Sequence, residues 1–240
     1  MVRSERGQDE AKKQTWEMAM TRATTVATTD TDKTSADHAY DIIQERLVLL
    51  DIKPGDPIND EKLGADLGYG RTPVREALKR LERDRLVVAY PRRGTFATAV
   101  DMTDLSSISE IRRHLEPLAS GRAARTATPD VRRALLQLAD DVAAIRDDEQ
   151  PKDVLRKDVQ VHRAIYHAAG NAHLEDILIG LDAHATRIWS LFIDRLPHIA
   201  LHVREHEALL RAIVDGDGES AAELTLAHVD GFETAVRRLL

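Results

Sequence analysis

Cysteine does not occur anywhere in the 240 residues, so disulfides are excluded and so is any thiolate metal site. No apolar run approaches the roughly 18 residues that a bilayer crossing needs. The N-terminus has no basic, then apolar, then small-residue pattern of a secretion signal. A cytoplasmic location is therefore expected. No HExxH, nucleophile elbow or phosphate-binding loop appears, and no internal repeat is visible. The net charge of −7 excludes a protein coated in basic surface. Hydrophobic residues at 42% and charged residues at 31% remain enough for an ordinary globular chain with its own core.

The average charge hides an asymmetry. Between Arg71 and Arg93 stand eight basic residues against three acidic ones, whereas from Thr103 onward 17 basic residues face 23 acidic ones. One basic patch on an acidic body is the footprint of a local polyanion contact. Residues 1–34 are polar, rich in Thr and Lys and without hydrophobic period, which predicts a disordered or frayed tail. From Ser35, the residues Ala39, Ile42, Ile43, Leu47 and Leu50 follow helical spacing until Lys53-Pro54-Gly55 breaks it. Asn59 or Asp60 can cap a second helix over residues 61–67, and Gly68-Tyr69-Gly70 makes a tight turn. A third helix is expected to open on Thr72-Pro73, with Thr72 as the cap. Residues 86–90 and 95–100 alternate as two strands joined by a tip at residues 91–94.

This is a winged helix-turn-helix of three helices and a two-stranded wing over residues 35–101. Arg71 and Thr72 lie at the N-terminus of its arginine-rich helix and Arg75 one turn later. A guanidinium fork can donate two bonds to guanine O6 and N7, and Lys79, Arg80 and the wing tip Arg93-Gly94 can reach phosphate or a minor groove. The string from Gly70 to Glu82 (GRTPVREALKRLE), with Arg93-Gly94-Thr95-Phe96 behind it, resembles the GntR family of winged-helix regulators. The resemblance implies a homodimer on double-stranded operator DNA, with Arg71, Thr72 and Arg75 on bases and Gly94 at the minor groove. Two departures stand out: Glu61 where many relatives carry arginine, and Arg85 where a glycine usually closes the third helix.

Residues 102–240 are helix-periodic except at short turns near Thr128-Pro129, Gln150-Pro151, Gly170-Asn171, Pro197 and Asp215 to Gly218, which predicts an all-α bundle of six to seven helices. Of its histidines, His162 stands four residues after Asp158, on one helix face, with His206 and His228 on later helices. Three imidazoles and a carboxylate suit a divalent metal. The residues alone leave open whether the four meet, since an Asp/His pair at this spacing is more often a surface contact. His167, His173, His184, His198 and His202 read as surface or half-buried groups, with His184 and Arg187 the reserve candidates for lining a pocket.

The segments Glu110 to Ala119, Asp158 to His162, Ala169-Gly170-Asn171, Glu205-His206 and His228 are similar to the FadR-type ligand-binding (FCD) domain. That resemblance implies a metal, zinc or nickel first, held by Asp158, His162, His206 and His228, and a small carboxylate effector reaching it. Val161 stands where an aromatic residue is more usual. Arg112 is the residue expected to grip the effector carboxylate bidentately, although a bond to Glu116 one turn on is nearly as good a reading. The expectation is a transcription repressor, not an enzyme. The alternative, a metal-dependent hydrolase or lyase using the Asp/His set, lacks a general acid or base beside the metal and leaves the DNA-binding module unexplained.

Overall fold

The computed structural model of the chain describes residues 33–195 and 199–239. Most of the 1–34 tail, and both Pro197 and His198, lie outside the described residues. Ser35 onward forms one continuous unit by contact.

Its N-terminal part comprises α1 (Ser35–Val48), β1 (Pro57–Ile58), α2 (Asp60–Leu67), α3 (Arg71–Arg83), β2 (Val87–Tyr90) and β3 (Gly94–Ala97). Asn59 caps α2 by accepting from the amides of Glu61 and Lys62, and Gly68 closes it at φ 73°, a conformation that costs glycine nothing. The third helix begins two residues earlier than expected. Gly70 occupies its cap position without a side-chain bond, so Thr72 is not the cap but an exposed residue of the first turn. Its far end closes through Arg85 at φ 59°, with the Leu86 amide bonded back to Leu81 O at 2.9 Å. Ile43, Leu47, Val74, Leu78 and Leu81 are buried between the helices. The sheet has three strands in the order β1-β3-β2, one more than expected. The additional strand is two residues long, pairing Pro57 with Phe96 and Ile58 with Thr95.

The rest is helical: α4 (Asp104–Thr126), α5 (Pro129–Ala143), α6 (Pro151–Ala168), α7 (Ala172–Phe192), a 3-10 turn (Ile193–Arg195), α8 (Ile199–Arg204), α9 (His206–Asp215) and α10 (Gly218–Arg237). The turns read from sequence are its caps. Thr128 accepts from the Val131 amide, Asn171 from that of Leu174 and Asp217 from that of Ser220. Gly121 and Gly218 let α4 and α10 approach closely, since a Cβ on Gly218 would lie 3.0 Å from the Gly121 carbonyl oxygen. A core of Leu135, Val154, Leu155, Val161, Leu210 and Ile213 fills the bundle, so Val161 is a fully buried packing residue.

The helical part docks on the winged part through α6 and α7. The Ser190 hydroxyl donates to Val48 O at 2.8 Å, and His184 Nε2 lies 3.0 Å from Asp84 O at the end of α3. Arg187 donates to the hydroxyl and carbonyl oxygens of Thr98 at 2.8 and 2.7 Å. Lys152 and Arg156 on α6 pair with Asp51 and Glu45.

Candidate metal centre and DNA-facing helix

Asp158 and His162 face inward from the middle of α6, where Val154, Leu155 and Val161 bury the same helix. His206 is the first residue of α9, because the helix is interrupted at Glu205, and His228 comes from the middle of α10. All four are buried, and one ligand atom from each lies within 4.8 Å of the others. The four sequence positions thus meet in the bundle core.

Their surroundings fit a cation. Asp158 Oδ1, His206 Nε2 and His228 Nδ1 are buried with no hydrogen-bond partner, a costly arrangement unless something else satisfies them. Val203 O accepts from His206 Nδ1 at 3.0 Å, which keeps the proton there and leaves Nε2 with its lone pair. Tyr166 donates its hydroxyl proton to Glu116 Oε1 at 2.9 Å and faces His162 Nδ1 at 3.1 Å, so His162 donates from Nδ1 and its Nε2 is free toward Asp158. Burial pushes all three imidazoles well below the usual histidine range, keeping them neutral as ligands must be, and burial with the neighbouring Asp182 pushes the Asp158 carboxyl well up against the opposing charge of Arg112.

A small cavity adjoins the set, lined by Asp158, His162 and His228 but not by His206. Arg112 lines it as expected, but its Nε donates to Glu116 Oε1 at 2.5 Å. Burial opposes the charge on Arg112, and Glu116, Tyr166 and Asp182 outweigh that opposition, so its pKa is raised. The bond to Glu116 read from the i, i+4 spacing is therefore present, and the guanidinium faces the cavity with what remains of its fork. His202 also lines it and stacks on His228 at 4.1 Å between ring centroids, so this histidine belongs to the pocket although its sequence context reads as a surface helix. Asp182 is a further lining residue that sequence reasoning missed. Its one signal is a carboxylate within the otherwise apolar run from Ile177 to Ala183. The reserve candidates His184 and Arg187 lie on the other side of α7, against the winged part. Of the remaining two, His167 pairs with Glu175 and His173 is exposed.

Arg71, Thr72, Arg75 and Lys79 are exposed on α3, and Arg93 and Gly94 at the wing tip. Arg75 is hydrogen-bonded to Asp60, which holds the Asp60 carboxyl below its usual range, and Arg71 lies 3.6 Å from Asp60 and 3.7 Å from Glu61. Arg80 is turned away from that face: it donates to Asp37 at 2.6 Å and covers the Tyr40 ring at 4.2 Å.

The winged part, residues 35–97, matches the model of the gntR family of bacterial regulatory proteins, and residues 107–231 match the FCD domain. The chain belongs to the GntR family of transcription regulators. Similar relatives of this GntR regulator include the HTH-type transcriptional regulator YdhC of Bacillus subtilis, 28% identical over 79% of this chain and 85% of YdhC. The transcriptional repressor RspR of Escherichia coli is 24% identical over 83% of this chain and 88% of RspR. Among solved structures, Escherichia coli McbR/YncC aligns at a TM-score of 0.75 with 20% identity, covering 86% of this chain and 99% of that one, which speaks to the fold. These relatives are regulators and not enzymes, which sets aside the hydrolase or lyase alternative. No described helix is long and apolar enough to cross a membrane.

Proposed function

We propose that this GntR regulator is of the FadR type and acts as a homodimeric repressor whose operator affinity is set by a small carboxylate bound at a divalent metal, zinc or nickel first. The observation that carries this reading is the buried set Asp158, His162, His206 and His228, three of whose polar atoms have no hydrogen-bond partner within the protein. The metal would supply coordination positions beyond these four for a carboxylate. Glu116 and Tyr166 hold His162 in the ligating tautomer and Val203 O does the same for His206. Arg112 offers the ligand a charged donor at the cavity wall.

On the DNA side, Arg71, Thr72 and Arg75 address base edges, and Lys79, Arg93 and Gly94 address the backbone and minor groove. Operator binding must first displace Asp60 from Arg75, so the ion pairs at the head of α2 favour operators that offer two good acceptors. Arg80 serves this face indirectly by fixing α3 on α1. The effector reaches it through α7, whose pocket face carries Asp182 and Trp189 and whose other face holds Asp84 and Thr98. The repressor assignment follows RspR, which is a repressor by name.

Elemental analysis joined to an operator titration tests this reading. Protein purified without chelator should hold about one metal ion per chain, lost when Asp158, His162, His206 and His228 are replaced by Ala, and stripping the metal should alter operator affinity. Retained metal in that variant, or operator affinity indifferent to metal, overturns it.

A further inference from the structure

The face that α3 offers to DNA carries a group that a polyanion should repel. Glu61 lies in the first turn of α2, its side chain 74% exposed, with Oε2 3.7 Å from Arg71 Nη1. Among the described residues its carboxylate accepts no hydrogen bond, since 3.7 Å is too long for one. The neighbouring Asp60 is placed differently. Its side chain is 21% exposed, hydrogen-bonded to Arg75 and 3.6 Å from Arg71 Nη2, so it is committed to holding the two arginines. Helix α2 has little use for a second carboxylate at this end. Asn59 already accepts from the amides of Glu61 and Lys62, and Asp60 already sets a negative charge against the helix N-terminus.

Charge decides what Glu61 can face once DNA is bound. Phosphates repel it, and so do guanine O6 and N7, thymine O4 and adenine N7. Only the exocyclic amino groups of cytosine and adenine offer it a proton in the major groove. Cytosine suits it better, because the adenine amino group stands beside N7, an acceptor that a carboxylate avoids. The spacing places that cytosine. The 3.7 Å between Glu61 and Arg71 is close to the rise of roughly 3.4 Å per base pair along the duplex, so the two side chains address successive pairs.

We propose that Glu61 is a specificity-determining residue of the DNA-facing surface, selecting a cytosine in the base pair next to the guanine that Arg71 reads. This rests on the reading of α3 as the base-contacting helix given above. Arginine and carboxylate then keep their mutual attraction on the DNA, and each meets the base edge of opposite polarity.

The test selects binding sites for the full-length protein from a random duplex library, once with zinc and once with chelator, and sequences the bound pool. Arg71→Ala should erase the preference for one guanine in the selected site. In the parent protein the adjoining position should prefer cytosine by about tenfold, within the range of a good base contact. Glu61→Ala should bring that position close to no preference and leave the guanine in place. Glu61→Gln, which presents both a donor and an acceptor, should move it toward adenine. Each preference is a ratio of sequences within one variant, so a general loss of affinity does not imitate the result. Preferences unchanged in Glu61→Ala, a changed position that was not cytosine, or an equal gain of affinity on every sequence overturns the role of Glu61 and leaves the reading of α3 standing. If Arg71→Ala and Arg75→Ala both leave every position unaltered, α3 is not the base-reading helix and this proposal falls with that reading. A parent protein that enriches no sequence rejects both.

Discussion

Burying a charge without a partner alters its titration and thereby its effect on stability. The Asp182 carboxyl is pushed up to about 7 by burial, against 3.8 when free. Between those values the folded chain binds the extra proton and the unfolded chain does not, so the group favours folding at low pH and opposes it increasingly as pH rises through 7. Asp182→Asn should therefore stabilise the metal-free protein at pH 8 by up to a few kcal/mol, because each tenfold difference in proton affinity between the folded and unfolded chain is worth about 1.4 kcal/mol. The gain should shrink as pH falls through 7 and vanish near 4. Urea titrations in chelator at pH 8 and pH 5 measure it, and equal gains at both would contradict the sign. Arg85 is a second residue held at some cost. At φ 59° it closes α3 where its usual counterpart is glycine, a conformation disfavoured for a side chain by about 1 kcal/mol.

Helix α7 joins the two functional surfaces. Residues 182, 185, 186 and 189 face the cavity, and 184, 187 and 190 face the winged part. Arg187 is 2% exposed, has no carboxylate partner and is brought down to about 10 by burial alone, yet it clamps the end of β3 through both oxygens of Thr98. Arg187→Met should leave metal content unchanged while reducing the metal-induced change in operator affinity by about threefold or more, within the usual range of coupling energies. Fluorescence anisotropy with and without zinc reads it; an unaltered metal response would show that α7 is not the link.

At this scale the sequence reveals some elements well and others poorly. The helix-turn-helix is plain because cap, glycine turn and apolar spacing agree over residues 59–81. The candidate ligands on α6, α9 and α10 are legible only through resemblance, since nothing local to His206 or His228 distinguishes a core imidazole from a surface one. The two-residue β1 has no alternation to detect, and Thr72 gave a false cap because Thr-Pro is a common helix start and the true start, Gly70, has no side chain to advertise it. The direction in which His184, Arg187 and Asp182 leave α7 depends on two neighbours packed on opposite sides, which a helical period does not identify by itself.

The molecule as a whole carries −7, with a local excess of basic residues on α3 and the wing. Operator binding should therefore be steeply salt-dependent, falling by about 0.9 in log K per log unit of salt for each phosphate neutralised. The structure separates two neighbouring cations in this respect. Lys79 is exposed, whereas Arg80 is bound to Asp37 and stacked on Tyr40. Lys79→Ala should flatten the salt slope by about one per protomer. Arg80→Ala should leave the slope alone and lower the melting temperature, as expected for the loss of a brace between α1 and α3. Equal slopes in the two variants would mean that Arg80 reaches DNA after all.

A single rigid helix with the proposed effector site on one side and a DNA-binding surface on the other cannot transmit in one direction only. Whatever factor the effector imposes on operator affinity, the operator must impose on effector affinity. A copy of this protein seated on its promoter and a copy free in solution would then sense the same metabolite with different thresholds. The concentration at which a gene is switched would depend on how many operators the genome offers.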